Sequence, residues 1–180
     1  MTDVTASPAP EDNYGTLIEP ATLKIERLLP GPIDRVWAYL TQSDLRRQWL
    51  ASGEMKPEVG STFELAWRND QLNTPETLAD DTAAHFVQQS RMLAFEPPHR
   101  LAYHWNNVGD VEFTLAEEGA NVRLTLIHGR VPDHSTLMGV STGWHTHLDF
   151  LAGRLAGAKM APYSAIREGL KAEYTRRLPA

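Results

Sequence analysis

The 180-residue chain has no cysteine, which excludes a disulfide framework and any thiolate metal site. That absence fits a reducing compartment, and the cytoplasm is the expected location. Also missing is any run near the roughly 20 consecutive apolar residues that a membrane-spanning helix needs. The start, MTDVTASPAPEDNYG, has neither the positive charge nor the apolar core of a secretory signal. Positive charge is in short supply as well. The 17 Lys and Arg residues face 23 Asp and Glu, a formal net charge of -6, which is the wrong sign for a nucleic-acid surface. Neutral or apolar partners are expected instead.

What is present divides the chain into three parts. Residues 1–20 are acidic and Pro-rich and are expected to form a disordered tail. Residues 21–157 carry the periodic patterns of one domain, and residues 158–180 are expected to add a C-terminal amphipathic helix. A chain of this length buries about 70% of its unfolded surface unaided.

The clearest pattern spans Val122 to Leu155. VRLTLIH alternates like a strand, breaks at Gly129, Pro132 and Asp133, and gives way to Leu137, Val140, Trp144, Leu148, Leu151 and Leu155 at spacings of three and four. This spacing predicts a helix of about 30 Å from Ser135 to Leu155. Such a helix needs a partner surface, and the short alternating runs before it predict a curved antiparallel sheet. A helix held in a curved sheet leaves room for a cavity, where small apolar ligands bind.

Upstream, Thr22 to Leu29 reads as a first strand ended by Pro30-Gly31-Pro32. Pro32 then opens a short helix bearing Ile33, Val36, Trp37 and Leu40. Ser43 is placed to cap a second short helix, and Gly53 to end it. Phe63, Leu65 and Trp67 share one face of a strand. Arg68 to Ala84 is polar and acidic, a long loop. His85–Phe95, Arg100–Trp105, Val108–Leu115 and Asn121–His128 read as four strands joined by hairpins. Tyr163, Ile166, Leu170 and Tyr174 recur at helical spacing, with Arg167, Lys171, Arg176 and Arg177 on a solvated basic face.

Two motifs invite catalytic readings. Gly139-Val140-Ser141-Thr142-Gly143 fits the G-x-S-x-G nucleophile elbow, which needs a buried strand before it. DHSTLM is not one, and Ser141 is read as a helix residue. His145-Thr146-His147-Leu148-Asp149 has the H-x-H-x-D run of metallo-hydrolases, but on a helix residues i and i+2 diverge by about 200°. No metal is expected, and His145 with Asp149 reads as a surface i,i+4 pair. His147 borders the apolar face as either a hydrogen-bonded core residue or a polar contact within a cavity.

Several segments resemble the SRPBCC superfamily, and within it the family of the activator of heat-shock protein 90 ATPase homologue. PIDRVWAYLTQSDLRRQWL is similar to the family's first helix pair, and GSTFELAW to the glycine-led strand that follows. RMLAFEPPHRLAYHW resembles its strand, double-proline turn and strand. VRLTLIHGRVPD and GWHTHLDFLAGRL resemble its last strand and final helix. The resemblance covers roughly residues 21–157. It implies an α+β helix-grip fold, in which a curved antiparallel sheet wraps a long C-terminal helix, with a short helix pair after the first strand.

Fold alone does not fix function. The expected role is non-catalytic binding of a small hydrophobic or aromatic molecule between sheet and helix. Alternatives are a co-chaperone-like activator of the heat-shock protein 90 ATPase and a polyketide cyclase-like or hydrolase-like enzyme using His147, His104 or His128. The expected ligand-binding set is Trp37, Phe63, Trp67, Phe86, His104, Trp105, Phe113, His128, Trp144, His147, Leu148 and Leu151. Neither a catalytic group nor a cofactor is assigned. The partners expected are a small apolar molecule and, on the alternative reading, a chaperone, with the chain a monomer or weak homodimer.

Overall fold

A computed structural model describes residues 12–72 and 86–180. Most of the expected loop, the start of the strand at His85 and residues 1–11 lie outside the described residues. The strands are β1 (Thr16–Glu19), β2 (Thr22–Pro30), β3 (Ala51–Ser52), β4 (Thr62–Trp67), β5 (Phe86–Glu96), β6 (Arg100–Trp105), β7 (Gly109–Glu118) and β8 (Asn121–Gly129). Helices α1 (Ile33–Thr41) and α2 (Ser43–Arg46) follow β2, and α3 (His134–Ala156) and α4 (Tyr163–Arg177) follow β8. A single eight-stranded sheet runs in the order β1-β2-β8-β7-β6-β5-β4-β3, with every neighbouring pair antiparallel. With α3 packed against the sheet, this is the expected helix-grip arrangement.

Strand alternation sorts the side chains onto two faces. In β8, Val122, Leu124, Leu126 and His128 turn inward and are buried. Cross-strand register then fixes which neighbours share that face: His128 pairs with Val111, Phe113 with Leu126, and Trp105 with Ser90. His104, one residue before Trp105, must therefore face outward.

Helix α3 begins at Asp133, whose side chain accepts a hydrogen bond from the Thr136 N–H (2.7 Å) and caps the first turn. It stops at Gly157, which adopts a left-handed φ of 67°. The apolar face read from the spacing is the one packed on the sheet: Leu137, Trp144, Leu148, Leu151 and Leu155 are all buried.

Four expectations need correction. Residues 12–20, placed in the disordered tail, include β1, and the Gly15 N–H donates to the Tyr174 hydroxyl (2.7 Å). The Pro-rich composition that suggests disorder ends before this contact. Ser43 is the first residue of α2 rather than its cap, which falls on Gln42, and its hydroxyl accepts from the Gly53 N–H (2.8 Å). Gly53 does not end α2. It has φ of +139°, and a Cβ there would sit 1.8 Å from the Glu64 carbonyl oxygen, so a close backbone approach accounts for the glycine.

The fourth correction concerns His145 and Asp149, which are not an exposed pair: His145 is buried and Asp149 half-buried. The His145 ring is buried (4% exposed) and its Nδ1 lies 3.0 Å from the Tyr174 hydroxyl. Its Nε2 lies 3.6 Å from Asp149, and Asp149 in turn accepts from the buried Arg27 guanidinium (3.2 Å). Helix α4 and residues 12–15 cover this side of α3, which is why it is buried on more than its apolar stripe. Arg177 of α4 pairs with Asp12 (2.7 Å) and stacks 3.8 Å over the Tyr14 ring, which anchors that cover.

Candidate functional site

Between the sheet, α3 and the start of α4 lies a cavity of about 270 Å³, lined by Trp67, Asn69, Phe86, Gln88, Trp105, Val108, Gly139, Val140, Gly143, Trp144, His147, Tyr163 and Arg167. Its wall is built from rings. Trp105 and Trp144 stack with centroids 5.1 Å apart and an interplanar angle of 8°. Trp67 meets Trp105 edge-on at 5.6 Å, and the His147 ring lies 5.3 Å from Trp67. On α3 itself, the turn just before Trp144 is bare. Gly139 and Gly143 are one turn apart, and a Cβ at either would meet nothing within 4 Å. A glycine inside a helix costs about 1 kcal/mol relative to alanine. Here the two glycines leave space that larger residues would occupy.

The histidines are fixed by their partners. His147 Nδ1 lies 2.7 Å from the Trp49 carbonyl and donates to it, because a carbonyl can only accept. Nε2 is then the acceptor, and the Tyr163 hydroxyl lies 3.4 Å from it. Burial pushes His147 down to about 4, and the nearby Arg167 acts in the same direction. At neutral pH the ring is uncharged. Burial also raises the Tyr163 hydroxyl above its ordinary value, opposed by the Arg167 guanidinium beside it.

His128 has both nitrogens occupied. Its Nδ1 accepts from the Trp144 indole N–H (2.9 Å), and its Nε2 donates to the Val108 carbonyl (3.0 Å). Burial lowers it to about 4.

Of the residues expected at the site, Trp67, Phe86, Trp105, Trp144 and His147 line the cavity together. The other seven lie elsewhere. Phe113 packs edge-on against the Trp144 ring (5.5 Å), and His128 brackets the same indole from behind the wall. Leu148 and Leu151 are fully buried in the sheet interface, and Phe63 packs on Tyr103. Trp37 packs on Phe95. His104 is on the outer face, 2.6 Å from Asp110. Register explains that placement, since alternate strand residues cannot share a face.

Other residues were missed. Gln88 is an inward-facing polar residue of β5 whose amide donates to the Gln89 and Asn106 carbonyls. Tyr163 and Arg167 come from α4, and nothing in their spacing distinguishes packing on a cavity from packing on a solid core. Gly139 and Gly143 carried a readable signal, two glycines at i,i+4 inside a strong helical pattern.

The catalytic motifs find no support. Ser141 is a fully buried mid-helix residue whose hydroxyl has no partner among the described residues. His145 and His147 turn to opposite partners, Tyr174 and Trp49. Among the described residues no group of three or more His, Asp or Glu could hold a metal ion. None of the described helices is long and apolar enough to cross a membrane.

Several known structures share this architecture. A protein from Bordetella parapertussis, determined by solution NMR, is 38% identical, with 93% of this chain and 91% of that chain covered at a TM-score of 0.75. CalU16 from Micromonospora echinospora is 23% identical over 88% of this chain and 89% of its own, at a TM-score of 0.66. DynU16, described as a protein in the dynemicin biosynthetic locus, is 19% identical over 79% of this chain and 49% of its own, at 0.61. The chain matches no curated protein closely enough to count as a relative. The sequence pattern of the family described as "Activator of Hsp90 ATPase homolog 1-like protein" matches residues 30–156. This chain therefore belongs to that family, within the SRPBCC type of ligand-binding fold.

Proposed function

We propose that the protein binds a small, flat, hydrophobic or aromatic molecule in the cavity between the sheet, α3 and α4, without transforming it. The observation that carries this reading is the cavity itself, walled by Trp67, Trp105 and Trp144 and by the bare glycine turn of α3. A hollow of about 150 Å³ holds benzene. One of about 270 Å³ has room for two fused rings with a substituent. Stacked and edge-on indoles offer flat surfaces that suit such a guest.

The histidines support binding over proton transfer. A general base works best with a pKa near the working pH. Among the described residues His147 is the only histidine on the cavity wall, and at about 4 it is a weak base at pH 7. Its unprotonated Nε2 suits it to accept a hydrogen bond from a ligand or from Tyr163. His128 is committed to Trp144 and Val108, and His104 faces away. We therefore take a small molecule, and not a chaperone, as the partner of this site. DynU16, which shares the fold, comes from a biosynthetic locus, and a role beside small-molecule chemistry is compatible with that setting.

The test is a titration with 2-naphthol followed by tryptophan fluorescence, since three of the five tryptophans line the cavity. Saturable one-to-one quenching is expected. A signal that stays linear up to the solubility limit of the probe rejects the reading.

A further inference from the structure

The chemistry at one end of the cavity narrows the class of guest. There the apolar wall gives way to a polar groove that shares Asn69, Tyr163 and Arg167 with it and adds Ser164, Glu168 and Lys171. Three shared residues make cavity and groove one continuous depression, apolar at the inner end and charged at the outer.

Resting on the ligand-binding reading, we propose that the guest is an aromatic carboxylate, with its rings among the tryptophans and its charge held by Arg167. Arg167 is half-buried, yet among the described residues no carboxylate lies within 4.0 Å of it, although acids outnumber basic residues in the chain. Other shielded arginines are matched: Arg27 by Asp149, and Arg46 by the carbonyls of Ala51, Thr41 and Gly53. The Tyr163 hydroxyl, a hydrogen-bond partner of Arg167 that also lies 3.4 Å from His147 Nε2, is neutral at pH 7. It offers no counter-charge. Lys171, one turn further along α4, lines the same groove and adds a second cation against the single carboxylate of Glu168.

A guest carboxylate at Arg167 would form the charge-assisted, two-pronged pair that guanidinium favours. Apolar walls on the inner side weaken solvent screening of that pair. Both cations sit on α4, beyond the matched family region of residues 30–156. Selectivity for an anion is thus written in the part of the chain outside that region.

Isothermal titration of the full chain with 2-naphthoate and with the neutral, nearly isosteric 2-naphthamide tests the proposal. Arg167→Gln is compared with a control, Arg176→Gln, whose side chain is 71% exposed on the same helix. Wild type and the control are expected to bind naphthoate at least tenfold more tightly than the amide. Arg167→Gln is expected to bring the two within about threefold, chiefly through weaker naphthoate binding. If wild type binds both equally, or Arg167→Gln keeps the preference, the anion assignment is overturned and the cavity reading survives. If neither probe binds wild type, both are overturned.

Discussion

The indole N–H of Trp144 donates to Nδ1 of His128 at 2.9 Å, and the other nitrogen of His128 donates to the Val108 carbonyl. One buried imidazole thereby holds a cavity-wall tryptophan on α3 to the loop between β6 and β7. Replacing it with an apolar ring of similar size strands both an indole donor and a backbone acceptor. His128→Phe is expected to cost about 2–4 kcal/mol, since each buried orphan costs about 1–3. Urea unfolding measures this as a lower midpoint with an unchanged slope.

Acid should weaken the fold before its carboxylates titrate. His128 and His147 are held at about 4, and His145 at about 3, all chiefly by burial. In the unfolded chain each returns to about 6.5. These folded values are depressed, so the unfolded state takes up more protons as pH falls. The contribution is complete above pH 6.5 and declines toward pH 4. At pH 5 the loss is on the order of 1–2 kcal/mol per histidine. Asp149, which burial raises above the usual carboxylate range, acts in the opposite sense near the bottom of that window. His147→Gln should flatten the dependence of stability on pH by about 1.4 kcal/mol per unit. Chemical denaturation between pH 4 and 7.5 reads this directly.

Arg27 points inward from β2, only 4% exposed, and its charge is answered by Asp149 on α3. Burial lowers the pKa of Arg27 and raises that of Asp149, so both groups bear a desolvation cost that their pairing offsets. Asp149→Ala leaves the guanidinium buried and unmatched, with an expected loss of about 2–4 kcal/mol. The double change Arg27→Met with Asp149→Leu should recover most of it. A double change as damaging as Asp149→Ala alone would show that the pair does more than neutralise charge.

Legibility followed periodicity. Helix α3, the helix pair and the hairpin strands were readable because burial on one face imposes repeats of 3.6 and 2. Trp67, Trp105 and Trp144 were placed on the cavity for the same reason. The errors arose where contacts are distant in sequence. His145 and Asp149 read as a surface pair because nothing local shows that Tyr174 and residues 12–15 come to lie over them. His104 has the wrong parity for the site, since it stands one residue before the inward-facing Trp105. Tyr163 and Arg167 belong to a helix that could be recognised, but whose docking geometry was not encoded in its own spacing.

The most direct measurement concerns Gly143. Its missing side chain faces open space, so Gly143→Leu can place four carbons in the cavity without displacing backbone. Leucine favours helix by about 0.8 kcal/mol over glycine, so the variant should unfold at the same temperature as wild type or slightly above. The account predicts that this folded variant loses 2-naphthol binding at least tenfold. A variant of undiminished stability that still binds the probe as wild type does would contradict it.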